Sequence, residues 1–192
     1  MLLFGGVVGF NVGNDALISL GYVSETTKIN VRMSRSGNGI TQAGGIAISN
    51  TNGASIIASG NRGEVIATSL AGTGYAAGVV VYTYGGGLYD CFNTGDVKGT
   101  EGYYGGIGYF ISSNIGNLYG VGKVNGRTQI SNFHIAGVFL GTKDASCYTR
   151  YSIEQTVEAS AITSSRTTTT KLTGVTMVVT VSGSTYTITF TK

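Results

Sequence analysis

Gly78-Val79-Val80, followed by Gly87-Leu88-Tyr89-Asp90-Cys91-Phe92-Asn93-Thr94-Gly95-Asp96-Val97-Lys98-Gly99, is the stretch whose reading decides the fold. It carries two markers: a small-residue pair running into aliphatic residues, and a later Gly-acid-Val step. Both return along the chain. The first reads Gly5-Gly6-Val7-Val8-Gly9, Gly44-Gly45-Ile46-Ala47, Ala77-Gly78-Val79-Val80, Gly105-Gly106-Ile107-Gly108 and Ala136-Gly137-Val138-Phe139. Counted from the second residue of each copy, the steps are 39, 33, 28 and 31 residues. The second marker reads Gly63-Glu64-Val65, Gly95-Asp96-Val97 and Gly122-Lys123-Val124, with Gly21-Tyr22-Val23 and Tyr151-Ser152-Ile153 as weaker outer copies. Two markers keeping one spacing indicate stacked supersecondary units rather than a single globular core.

Composition narrows the kind of unit. The 192 residues include 32 glycines and no proline; 42% are hydrophobic and 11% charged. That balance excludes a disordered chain, and without a Gly-X-Y period or proline it excludes collagen. Val, Ile, Thr and Tyr are frequent, and no window of a dozen residues keeps a helical apolar period, so the elements are strands. Between the markers lie strand-length pieces such as Gly87–Thr94 and Asn114–Gly120, separated by Gly and Asn, which suit tight corners. The expected fold is therefore all-β: a parallel β-solenoid (β-helix) of five coils of ~30 residues, with a C-terminal β-hairpin. Val79, Ile107, Val138, Val97 and Val124 are expected to point inward and stack on their equivalents. At ~4.8 Å per coil the stack is about 20–25 Å long. Its open ends expose strand edges that need a cap or a partner.

The same stretch resembles the GLUG-type repeat, which has a Gly-Gly-Ile/Leu-Ala/Val-Gly opening, a Gly-x-Ile/Leu step, then Cys-Tyr-x-Thr-Gly-x-Val and a closing Gly. Gly87-Leu88, Cys91-Phe92-Asn93-Thr94-Gly95-Asp96-Val97 and Gly99 follow it, as does the opening Gly5-Gly6-Val7-Val8-Gly9. The second copy departs, with Ser59-Gly60 in place of Cys-Tyr. The likeness covers roughly residues 4–153. It implies a bacterial surface or secreted module that displays or spaces something, with the architecture carrying over better than any function.

Three segments follow: repeats over 1–153, a Ser/Thr-rich linker or extended segment over 154–171, and a hairpin over 172–192. In the last, Val175, Met177, Val179 and Val181 alternate with polar or outward residues, and Tyr186, Ile188 and Phe190 do so after Gly183-Ser184. This period-2 pattern makes these seven residues the apolar face of a hairpin. An isolated hairpin is marginal, so it caps the last coil, pairs with a neighbouring chain, or joins a further β-domain. The Thr rows also admit an ice-binding reading; a solvent-facing side rich in a good β former is the plainer one.

Chemistry is sparse. Glu64 and Asp96 take the same place in successive repeats, close enough for a retaining-glycosidase pair, but Lys123 follows and a charge-balanced surface ladder is the plainer reading. Asp90, Asn93 and Asp96 could offer oxygen ligands to calcium, although such positions usually make corners. His134 stands alone without a nucleophile motif. Cys91 and Cys147 read as small buried hydrophobes, or as a disulfide if the fold brings them together. No catalytic residue, metal ligand or cofactor is assigned, and an enzyme is not expected. Of twelve tyrosines, Tyr82, Tyr84, Tyr89, Tyr103, Tyr104 and Tyr109 are candidates for an exposed surface that binds sugars or proteins. The alternative is an internal stacking ladder.

The formal charge of +3 carries no basic cluster beyond Arg32 and Arg35, so nucleic acid is not an expected partner. No apolar run approaches a membrane span. Met1-Leu2-Leu3-Phe4 lacks the basic flank of a signal peptide, and a piece cut from a longer chain, or a chain with its leader removed, is expected. The expected partners are other copies of the chain or neighbouring domains, with a surface glycan or protein as ligand. The first reading is a non-catalytic extracellular module for adhesion or spacing on a bacterial surface. The second is a subunit of a phage fibre, spike or stacked filament with the hairpin as assembly element. A carbohydrate-active β-helix enzyme comes third.

Overall fold

A computed structural model describes residues 1–34, 38–100, 103–125, 135–142, 147–149, 159–161, 165–183 and 185–192. Its described residues are all-β: twenty-three strands and no helix. The chain passes through four sheets in a fixed order and returns to the first, one strand further along.

Sheet I holds Leu2–Gly5, Ile40–Gly44, Thr73–Ala77 and Tyr104–Gly105. Sheet II holds Val8–Val12, Ala47–Thr51, Val80–Tyr89, Gly108–Gly116 and Ala136–Phe139, with Leu17–Ser19 and Ser55–Ile57 beside the later half of Val80–Tyr89. Sheet III holds Tyr22–Val23, Gly60–Asn61, Phe92–Asn93, Leu118–Gly120, Cys147–Thr149 and Ala159–Ala161. Sheet IV holds Lys28–Met33, Glu64–Ser69 and Val97–Lys98, extended by a bridge from Val97 to Val124. Every pair within these four sheets is parallel. Sheet V, Arg166–Thr169, Thr176–Ser182 and Thr185–Thr191, is antiparallel.

The repeat spacing is a pairing register. Gly5, Gly44, Ala77 and Gly105 lie side by side, so the expected steps of 39, 33 and 28 residues are the ladder. Val65, Val97 and Val124 do likewise. Two outer copies are displaced. Gly108 pairs with Ala136, and the Ile107 N–H donates to the Ile135 carbonyl, so Ile135 and not Val138 continues the column Ile46–Val79–Ile107. Ile135 is fully buried, whereas Val138 stands opposite Phe110 and is half-buried. On the other side Val65 pairs with Ile29, while Tyr22-Val23 pairs with Gly60-Asn61. Tyr151-Ser152-Ile153, His134 and residues 154–158 and 162–164 of the expected linker lie outside the described residues.

The core is made of such columns. Ile46, Val79, Ile107 and Ile135 form one, Ile56, Leu88 and Ile115 a second, and Ile29, Val65, Val97 and Val124 a third, all in one buried cluster. Each such side chain contributes about 1.5–3 kcal/mol on burial. Both sequence markers are glycine-bearing because of the spacing between layers. A Cβ on Gly45 would fall on the Gly78 carbonyl oxygen and one on Gly78 on the Gly106 carbonyl oxygen. Gly95 and Gly122 meet Gly63 and Gly95 in the same way.

Two corners recur. Leu20, Ala58, Asp90 and Asn117 each follow the in-register residues Ser19, Ile57, Tyr89 and Gly116, and all four take φ between 49° and 56°. This left-handed corner costs an ordinary L-residue roughly 1–2 kcal/mol, least for Asn and Asp. The second corner interrupts sheet II and tapers. Val12, Thr51, Tyr84 and Ser112 are in register before it, and Leu17, Ser55, Gly87 and Asn114 after it. The residues between are 13–16, then 52–54, then 85–86, then 113 alone, one fewer in each layer.

Buried amides line the inside of these corners. Asn11 Nδ2 donates to Asn50 Oδ1 at 2.7 Å, and Asn50 Nδ2 donates to Thr83 Oγ1 and the Gly87 carbonyl. In sheet III, Asn61 Nδ2 donates to Asn93 Oδ1 and to the Gly63 carbonyl, both at 2.7 Å. The Gly63 N–H donates back to Asn61 Oδ1.

Sheet V is larger than the expected hairpin. Arg166–Thr169, expected as linker or extended segment, pairs with Thr176–Val179 as a third strand. Met177, Val179 and Ile188 are buried against Phe92 and Tyr119 of sheet III, with Val181, Tyr186 and Phe190 packed alongside. Val175 is also buried. The face expected to serve assembly is thus consumed within the chain, against the flank of sheet III. Polar ties also hold it: Arg62 Nη2 donates to the Ile188 carbonyl at 2.8 Å, and the Lys171 N–H donates to Asp90 Oδ2 at 2.7 Å.

Candidate functional site

The aromatic candidates divide by their position in the repeat. Tyr104 is not exposed: it sits in sheet I beside Ala76 and is buried in the main core, because its side chain alternates inward from that of Tyr103. Tyr89 is half-buried under the Lys171 ammonium, whose Nζ lies 4.6 Å from the ring centroid, and so belongs to the sheet V junction. Tyr84 projects into solvent just before the tapered corner, with 64% of its surface exposed.

Tyr82, Tyr103 and Tyr109 come together around Tyr75, a residue the sequence reading missed. Its ring centroid lies 5.8, 5.1 and 5.2 Å from theirs, tilted or edge-on. Tyr82 to Tyr109 is 5.9 Å and close to perpendicular, and Phe110 extends the patch at 6.5 Å from Tyr82. Such edge-to-face pairs contribute about 0.5–1.5 kcal/mol each beyond their burial. The patch straddles the junction of sheets I and II, above Ile48, Ala77 and Val81. The repeat held the clue to Tyr75: it stands three residues before Gly78, as Tyr103 does before Gly106. Chemically the patch is amphipathic and neutral. Burial and the neighbouring phenols raise the pKa of Tyr82 and Tyr109, which suits neither to proton transfer near neutrality.

The carboxylates are engaged. Glu64 lies next to Asp96 in register, as expected, but Glu64 Oε2 pairs with Lys28 Nζ at 2.7 Å, and Asp96 Oδ1 accepts the Lys123 N–H at 3.0 Å. Both members of the ion pair are substantially exposed, so its contribution is small. The calcium trio is dispersed among other partners: Asp90 accepts Asn117 Nδ2 and the Lys171 N–H, and Asn93 Nδ2 donates to the Gly95 carbonyl. Among the described residues no three His, Cys, Asp or Glu side chains gather as metal ligands.

Cys91 is free and fully buried, with its Sγ 3.2 Å from the Tyr89 carbonyl. Cys147 pairs with Leu118, and Leu118 is level with Cys91, so the two cysteines stand two ladder steps apart. That is about 9.6 Å between Cα atoms, beyond disulfide reach. Burial, the largest cause, raises the Cys91 pKa far above the ordinary thiol value of 9.0. Unfolding exposes the thiol, so above pH 9 the unfolded chain releases a proton that the folded chain keeps. Stability is therefore expected to fall as pH rises above about 9, by at most about 1.4 kcal/mol per pH unit from this one group. The ordinary phenol value of 10.0 sets where Tyr82 and Tyr109 begin to act in the same direction. Urea midpoints from pH 8 to 11 check this, and Cys91→Ala should flatten the early part of the slope; a flat profile would refute it.

Among the described residues no helix is long and apolar enough to cross a membrane. No family model matches the chain, and neither the curated proteins nor the solved structures contain a significant match.

Proposed function

We propose that the chain is a parallel β-solenoid module, GLUG-like in its repeat, that acts without catalysis in adhesion or structural spacing on a bacterial surface. One observation carries the reading: successive passes through sheets I–IV pair in parallel and in register, so each outward position becomes a straight row of side chains. Such a body is stiff because every layer shares its ladder hydrogen bonds with the next. The amphipathic patch of Tyr75, Tyr82, Tyr103 and Tyr109, with Tyr84 beyond it, then supplies a rigid contact surface. A further layer of strands would cover the first one, whose strands pair on one side only and leave Leu2, Phe4, Phe10, Leu17 and Tyr22 exposed. That observation favours the second reading, a subunit of a larger assembly, with the layer supplied by another part of the same protein or by another copy.

Beads coated with the protein and drawn under flow across surfaces bearing polysaccharide or matrix protein test the adhesive role. Retention several-fold above bare beads, reduced by Tyr84→Ala and Tyr103→Ala together, supports it. Retention equal to bare beads on every surface removes adhesion and leaves spacing. Light scattering of the same preparation distinguishes a monomer from an assembly.

A further inference from the structure

The outward face of sheet IV holds a cavity of about 440 Å³, lined by Asn30, Arg32, Ile66, Thr68, Ser69 and Lys98, with Leu70 at its end. Its origin is a difference in strand length. Lys28–Met33 and Glu64–Ser69 run for six residues, whereas Val97–Lys98 stops after two, so among the described residues no strand of the third layer pairs with Glu64–Ser69 beyond Lys98. The register places Asn30, Ile66 and Lys98 in one row and Arg32 with Thr68 in the next. Arg32 and Lys98 thus stand at opposite sides of the cavity, two strands apart and two residues along, about 11–12 Å between Cα atoms.

One feature marks this as more than a solvated surface. Neither Arg32 nor Lys98 has an ion-pair partner among the described residues; the carboxylate contacts of Glu64 with Lys28 and of Asp96 with the Lys123 N–H lie one row earlier.

We infer that this groove binds an acidic oligosaccharide, a chain of sugar rings bearing carboxylates. This deepens the adhesive reading above and rests on it. The guanidinium of Arg32 offers the planar fork that matches a carboxylate, and Lys98 supplies a second, more distant positive charge. Asn30 and Thr68 offer hydrogen bonds to sugar hydroxyls, and Ile66 and Leu70 take the C–H faces of the rings. Among the described residues no aromatic side chain lines the cavity to stack a nucleobase.

Calorimetric titration of the intact protein with tetragalacturonate tests the site, with maltotetraose and inorganic sulfate as probes beside it. Saturable binding is expected, weakening as salt rises, at least tenfold poorer in Arg32→Gln and in Lys98→Gln, and absent for maltotetraose. Both positions are exposed, and circular dichroism verifies that the variants keep their fold. Absence of binding, equal affinity in both variants, or equal binding of the neutral sugar would overturn the site. Displacement by sulfate at equimolar concentration would reduce it to a simple anion site and overturn the saccharide assignment. If bead retention persists while tetragalacturonate fails, this inference falls and the adhesive reading stands.

Discussion

Gly78→Ala is expected to destabilise the protein by about 3 kcal/mol or more, at the upper end of what overpacking costs. The added methyl meets the Gly106 carbonyl oxygen of the next layer and the side chain of Asn93 together. Neither can retreat cheaply. The carbonyl belongs to a ladder, with Gly78 N itself donating to Gly106 O at 3.1 Å, and Asn93 is buried in its own hydrogen bonds. Relief therefore requires two layers to move apart, at the expense of ladder bonds along both sheets. Gly9→Ala is the matched comparison. Gly9 belongs to the same sequence marker, yet a Cβ there meets nothing within 4 Å, so its substitution should be within about 0.5 kcal/mol of neutral. Urea unfolding of the two variants measures the contrast; equal midpoints would show that close layer contact is not why the marker carries glycine.

Asn61→Ala carries the second large effect, a loss of about 3–5 kcal/mol. Asn61 satisfies three buried groups: the Gly63 N–H, the Gly63 carbonyl and Asn93 Oδ1. Removing its amide orphans all three in the interior, at about 1–3 kcal/mol for each buried group left unpaired. Asn61→Asp is not conservative here. It can still accept from Gly63, but it loses both donated bonds and points negative charge at Asn93 Oδ1, so it too should unfold at lower urea. Because Asn61 and Asn93 share a bond, Asn61→Ala and Asn93→Ala together should cost less than the sum of the single changes. Strict additivity in that double-mutant cycle would rule out the ladder as a coupled unit.

The sequence was most legible where backbone geometry restricts side chains. Glycines jammed against a neighbouring layer leave no room for a side chain, so Gly45 and Gly78 displayed the register openly, as did the core valines 65, 97 and 124. Legibility failed where corners differ in length. Ala136-Gly137-Val138 imitates the marker in composition, but pairing follows the aliphatic column, and Ile135 fills it. The same slippage hid Ile29 behind Val23. Tyr103 and Tyr104 could not be told apart by type; strand alternation sends one outward and the other into the core. The asparagine ladders were read as turn formers, since Asn favours both roles and only the stacked register joins Asn61 to Asn93. The groove beside Arg32 was invisible for another reason: it arises from a strand that stops early, two residues beside six.

The tapered corner of sheet II makes the fold permissive to insertion at one seam. Four, three, two and one residues span the same gap in successive layers, while the strands on either side stay in register. Chain length there is thus uncoupled from ladder geometry, and the seam tolerates additions that would shift every side chain if made within a strand. A peptide grafted between Tyr84 and Gly87 would project from the flank beside an exposed tyrosine, anchored at both ends by paired backbone. Repeats of this type can diverge in what they display, one layer at a time, without renegotiating the core.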